Sequence, residues 1–348
     1  MLAWLHYTEQ PRKSPSRPAF LCSIATKLCV IESKLTPISF RFLDEDIMRQ
    51  YIKFIKAGKS ILILLGLVFS SGVFAADRTQ KMIDIGHAQL QIEVWESSIN
   101  KQETLVALPG SGGDFSRYKY LAPLLADAGY RVITVNQRGI MGSTGDLEGL
   151  TLHDYAQDVV AIIKVLGLEQ AHLLGWALGN RTARVVATDY PESVASISLI
   201  AAGGLAKPLT IPGELGQLLG EPILTETEKF VLARRTLFSP HTDDQIVLDY
   251  VRALKYWPDA RRSQGQANRN TPLEQWWAGG NGPMLIVQGV DDKTAPPENG
   301  RRMKKEFGER ITLVDLESAG HAMGLEKPQE TAAAIVSFLA KHPITAAR

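Results

Sequence analysis

The chain has 348 residues, 45% of them hydrophobic and 22% charged, with a formal net charge of +1. That balance is ordinary for a globular protein and fits one large or two small domains. It leaves no electrostatic footprint for nucleic acid or another polyanion, because no long basic run occurs in the globular part.

Residues 1–47 show no sustained periodicity, a Pro/Ser/Arg patch at 11–18, and the chain's two cysteines, Cys22 and Cys29. MRQYIKFIKAGKS (48–60) then carries several Lys and Arg and no acid, and ILILLGLVFSSGVFAA (61–76) is apolar with a small-residue end. A basic region, a short apolar region and Val73-Phe74-Ala75 before Ala76 form the layout of a secretory signal peptide over 48–75. The apolar stretch is short for a membrane span of about 20 residues. The expectation is therefore a periplasmic or secreted protein, with an uncleaved inner-membrane anchor as the alternative. Signal peptides begin a chain, so we expect the natural start at Met48 and a mis-called extension over 1–47. The remaining chain then has no cysteine, which removes disulfide frameworks, thiolate catalysis and Cys–zinc sites together.

From residue 81 the chain alternates. KMIDIGHAQLQIEVWES reads as a hairpin around Gly86, and ETLVALPG as a short buried strand. RYKYLAPLLADAG is helical in period and stops at Gly129; RVITVNQRG is strand-like; LHDYAQDVVAIIKVLG is an amphipathic helix stopped at Gly167. AHLLGWALGN gives the next strand and turn, NRTARVVATDY a helix and VASISLIAAGG a strand. PMLIVQGVDD, PENGRRMKKEFG, RITLVDLESAG and KPQETAAAIVSFLAKH repeat the pattern. Short strands alternating with helices predict an α/β fold with a mostly parallel sheet, helices on both faces and the hairpin at one edge. Residues 205–280 break the alternation. We read them as a helical cap over the strand ends where ligands bind in such sheets, with edge-packed helices as the alternative. Trp257, Trp276, Trp277 and Phe238 either wall an apolar pocket there or form the cap's own core.

Three strand-end loops carry chemistry. The first is Gly175-Trp176-Ala177-Leu178-Gly179, whose period-two small residues suit a very tight strand-to-helix turn. The second is Gly289-Val290-Asp291-Asp292 and the third Gly320-His321. A nucleophile position followed by an acid and then a histidine is the order of one serine-hydrolase arrangement and not of the two others.

On these residues the chain resembles the α/β-hydrolase superfamily over about 81–340. LPGSGG (108–113) looks like the family's oxyanion loop with Pro109 in the place of a histidine. NQRGIMGST (136–144) is similar to its Asp-x-Arg-Gly-x-Gly-x-Ser stretch with Asn136 for the acid, and AGHAMGLEKPQE to its histidine segment. The resemblance implies an α/β-hydrolase core over 81–204 and 281–345. It implies oxyanion donors at the Ser111 and Leu178 N–H groups, His321 as general base and acid, and a carboxylate partner. Family spacing selects Asp292 over the alternative Asp291 for that partner. Trp176 reads as pocket wall; His153 and His172 read as solvated or core-satisfied.

The departure is at the nucleophile position, where Ala177 has no acyl-accepting atom. Three readings stay open. His321 and Asp292 do acid–base chemistry directly, as in the superfamily's cofactor-free members; or the pocket binds a small ligand or a partner protein without turnover; or another hydroxyl, with Ser111 nearest, replaces the missing one. No metal-ligand spacing and no nucleotide loop is visible, so the expected site uses no cofactor and no metal. The expected ligand is a small, partly apolar molecule. Oligomeric state is not legible.

Overall fold

The computed structural model describes residues 77–97, 103–220 and 222–344, all within one compact unit, Phe74–Arg348. The expected extension (1–47), signal segment (48–75) and both cysteines lie outside the described residues. Among the described residues, no helix is long and apolar enough to cross a membrane.

Eight strands form one sheet: β1 (Asp77–Asp84), β2 (Gln89–Glu96), β3 (Thr104–Leu108), β4 (Arg131–Val135), β5 (Ala171–Trp176), β6 (Val194–Ile200), β7 (Met284–Gly289) and β8 (Ile311–Leu316). Their order is β1-β2-β4-β3-β5-β6-β7-β8. The β1–β2 hairpin is antiparallel and joins β4 antiparallel, and every pairing from β4 to β8 is parallel. This is the α/β fold expected from the alternation, with the hairpin at one edge.

Ten α-helices are described: α1 (Leu121–Asp127), α2 (Leu152–Val165), α3 (Leu178–Asp189), α4 (Glu214–Gly220), α5 (Glu226–Thr236), α6 (Asp244–Arg252), α7 (Pro258–Asn270), α8 (Glu298–Phe307), α9 (Met323–Glu326) and α10 (Pro328–Leu339). The central strands are apolar on both sides, as strands covered by helices on both faces must be. Alternate side chains divide between two cores. Val106, Leu173, Leu199 and Ile286 pack with Tyr155 and Val159 of α2, Val185 of α3 and Met303 of α8. Leu105, Leu174, Ile200 and Leu285 pack with Leu121 and Leu125 of α1 and Ile335 and Phe338 of α10.

Helix boundaries follow local chemistry. Asp154 closes a capping box with Thr151 at the start of α2, and Gly167 just past its end adopts φ of 69°. The stretch 205–280 holds α4 to α7 between β6 and β7, and its side chains line a cavity over the strand ends. The aromatics in it turn mostly inward. Phe238 packs edge-on against Tyr250 at 5.3 Å, while Trp276 and Trp277 lie in the core against Arg184. None of Trp257, Trp276, Trp277 or Phe238 lines the cavity, whose aromatic walls are Trp176 and Tyr250.

Candidate functional site

The turn from β5 into α3 is where backbone crowding is greatest. A Cβ on Gly175 would strike the Asn180 backbone, and one on Gly179 the Leu108 carbonyl, so both positions need glycine. Between them Ala177 is held at φ 51° and ψ −110°. A non-glycine residue there is strained by roughly 1–3 kcal/mol and persists only where its surroundings over-determine it. Ala177 N–H donates to the Ile200 carbonyl at 3.2 Å, and the Asn180 side-chain amide donates to the Ala201 carbonyl at 3.0 Å, fastening the turn to the end of β6. The result aims the Ala177 methyl into a cavity of about 280 Å³ that Ser111, Leu178 and His321 also line.

His321 follows β8. Its Nδ1 stands 2.9 Å from Asp292 Oδ2 and 3.1 Å from Oδ1, and both residues are buried. Asp292 Oδ1 also accepts from the Thr294 and Ala295 N–H groups at 2.9 and 2.7 Å, which holds the carboxylate still. Asp291, its neighbour, instead accepts from the Ser239 hydroxyl at 2.6 Å. The structure therefore brings Asp292, and not Asp291, to the histidine. With Nδ1 on a carboxylate, the ring presents Nε2 as the nitrogen that gains and loses a proton.

Two partners of this loop were not legible as such in the sequence. Glu326, the glutamate of the AGHAMGLEKPQE segment, accepts from the N–H groups flanking His321: Gly320 at 3.0 Å and Ala322 at 3.1 Å. It also accepts from Ser239 N–H at 3.0 Å and from the Thr242 hydroxyl at 2.6 Å. Burial pushes its carboxyl above the usual range, against the pull of those donors. Trp176 donates its indole N–H to the His321 carbonyl at 2.8 Å and stands as cavity wall.

The loop that carries Ser111 is held from α7. Gln264 of α7, fully buried, accepts from Gly112 N–H at 2.8 Å and from the Ser111 hydroxyl at 3.2 Å, and its own amide donates to Gln137 at 2.8 Å. The Ser111 hydroxyl is thus committed to Gln264, and it makes no hydrogen bond to His321. Asn136, in the family's acid position, accepts from Phe115 N–H at 2.8 Å and donates to Gln91 at 3.1 Å, a structural role. His153 bridges Asp189 and Gln275 at the surface, and His172 is buried in the sheet against Ser196.

Comparison with known proteins identifies the family and the fold. The model of the alpha/beta hydrolase family matches residues 105–334. Among curated relatives, the 2-hydroxy-6-oxo-6-phenylhexa-2,4-dienoate hydrolase of Comamonas testosteroni is 26% identical over 246 residues, 66% of this chain and 84% of that protein. The 2-hydroxy-6-oxononadienedioate/2-hydroxy-6-oxononatrienedioate hydrolase of a Pseudomonas species is 25% identical over 286 residues, 76% of this chain and 97% of that protein. A serine-to-alanine variant of the meta-cleavage product hydrolase of Pseudomonas fluorescens, solved with acetates, superposes with a TM-score of 0.62 at 18% identity, covering 76% of this chain and 98% of that one.

Proposed function

This chain belongs to the alpha/beta hydrolase family, and from that premise we propose that it is a hydrolase in which His321 and Asp292 act directly on a small, partly apolar molecule, with no acyl-enzyme at Ala177. The observation that carries this reading is the buried His321–Asp292 contact at 2.9 Å on the wall of a cavity whose nucleophile position offers only a methyl group.

The step needs only water and the substrate. A water beside the Ala177 methyl gives a proton to His321 Nε2 while its oxygen attacks the carbonyl carbon. Asp292 stays ionised and stabilises the imidazolium. The oxyanion accepts from the N–H groups of Ser111 and Leu178, neither of which has another protein acceptor among the described residues. As the tetrahedral intermediate collapses, Nε2 returns the proton to the leaving group.

The reading is tested with a series of p-nitrophenyl esters and a fluorophosphonate probe. We expect turnover without a pre-steady-state burst, no covalent labelling, and loss of turnover in His321→Gln. Labelling at Ser111, or undiminished turnover in His321→Gln, overturns it. Ala177→Ser is expected to add a burst and covalent labelling, because it restores the missing acyl acceptor. Ala177 itself favours a second reading, a pocket that binds without turnover. That reading predicts no hydrolysis of any ester and an affinity that His321→Gln leaves unchanged. We further propose export through 48–75, for which N-terminal sequencing of the secreted protein should return Ala76; a chain beginning at Met1 defeats it.

A further inference from the structure

Charge around the cavity does not balance. Its lining includes the cations Arg117 and Arg181 and, among the described residues, no Asp or Glu, while His321 has Asp292 behind it. Several arginines elsewhere in the fold grip carboxylates, while Arg261 and Arg310 donate to backbone carbonyls. Arg138 grips Asp158 through two bonds of 2.7 and 2.8 Å, and Arg252 grips Glu226 through two of 2.9 and 3.0 Å.

Among the described residues, Arg181 and Arg184 of α3 meet amides, carbonyls, a thioether and rings, and no carboxylate. Arg181 donates to the Asn268 Oδ1 of α7, with its guanidinium 5.1 Å from the Trp276 ring. Arg184, fully buried, donates to Asn180 Oδ1 and to the Gly203 carbonyl at 2.7 Å each, and lies 4.6 Å from the same Trp276 ring. Two guanidiniums therefore back onto one indole with no carboxylate between them. Burial lowers both, and the charge of Arg181 lowers Arg184 further. An uncompensated cation out of water costs several kcal/mol, so an arrangement of this kind is stable in use when an anion completes it.

Of the two, Arg184 spends its donors on the protein and does not reach the cavity wall. Arg181 does reach it. It lies four residues after Ala177, about one helical turn on, so its side chain stands on the side of α3 from which the Ala177 turn enters. Asn268 uses its oxygen to hold Arg181, which leaves its Nδ2 as a second donor beside the guanidinium. A forked cation with an adjacent amide donor matches the two oxygens of a carboxylate.

We propose that Arg181 and Asn268 form the subsite for a carboxylate, so that the molecule this cavity takes is a small organic acid. The reacting carbonyl of that acid lies toward Ala177 and His321, and this orientation alone rests on the hydrolase reading above. The subsite itself is a binding claim that stands without turnover.

Tryptophan fluorescence titrations with the monomethyl esters of the C4 to C6 dicarboxylic acids, against their dimethyl esters, test it, with Trp276 as the reporter next to the subsite. At least one monoester is expected to bind ten- to one-hundredfold more tightly than its diester, the worth of a charge-assisted hydrogen bond. Arg181→Met should erase that preference, Arg181→Lys should keep part of it, and the surface variant Arg302→Gln should keep all of it. Circular dichroism melting establishes that each variant is folded. No binding by any monoester, equal binding of monoester and diester, or a preference that survives Arg181→Met and vanishes in Arg117→Gln overturns the proposal. Monoesters that bind through Arg181 and are not hydrolysed leave the subsite standing and defeat the hydrolase reading instead.

Discussion

Two buried histidines sit at opposite ends of the same sheet and meet opposite surroundings. His172, at the start of β5, is fully buried with Nδ1 on the Ser196 hydroxyl at 2.8 Å. Among the described residues its Nε2 has no hydrogen-bond partner, and Glu103 stands 4.0 Å away. Burial, and secondarily the charge of His342, push it down to about 4. His321, after β8, is almost as buried but has a carboxylate on Nδ1 and the cavity beside it. Burial alone makes an imidazole refuse a proton; a fixed carboxylate is what lets a buried ring take one and give it back. The pair separates a histidine that fills space from one that meets a carboxylate and a cavity.

The largest effect should come from removing the partner that distinguishes them. Asp292→Asn keeps the shape but offers Nδ1 an amide, and ester turnover should fall roughly 10³- to 10⁴-fold. His172→Asn should leave turnover within about threefold, since it keeps the Ser196 bond far from the cavity; comparable losses in steady-state assays of the two would erase the contrast.

A second test uses acid. His172 has a folded value of about 4 against an ordinary 6.5, so below pH 6.5 the unfolded chain binds a proton that the folded chain declines. Stability is fully present above that value and falls as pH drops toward 4, by about 3 kcal/mol in all. Urea titrations at pH 7 and pH 4.5 should show most of this loss in the wild type and much less of it in His172→Asn. Equal losses in the two proteins would mean that another group drives the acid branch.

The smallest effect tests the turn that carries Ala177. Ala177→Gly relieves a φ of 51° and costs some unfolded-state entropy, for a net gain of about 1 kcal/mol. A lower melting temperature in that variant would show the Ala177 conformation to be unstrained.

The core of this fold could be read in the chain because each strand and helix announces itself locally. Apolar runs such as MLIVQG end at turns, and Gly129 and Gly167 stop the helices that precede them. The carboxylate that meets His321 is the one that the family resemblance selects, since Gly289 and Asp292 belong to one short loop of the matching motif. The partners that arrive from elsewhere could not. Gln264 reaches Ser111 across 153 positions and Asn268 reaches Arg181 across 87, and nothing in α7 as a sequence says which turn of it faces the cavity. The same gap explains the cap aromatics. Trp276 suits a pocket wall by composition, yet it is spent backing two arginines whose positions on α3 are set by a different part of the chain.

The bond from the Trp176 indole to the His321 carbonyl ties the residue before Ala177 to the catalytic candidate itself. The turn that carries Ala177 is therefore also a strut for His321. Glu326 grips the amides on either side of His321, so we expect the two loops to open as one unit. In deuterated water the Trp176 indole hydrogen and the Gly320 and Ala322 amides should exchange at one common rate, and loosening either loop should release all three.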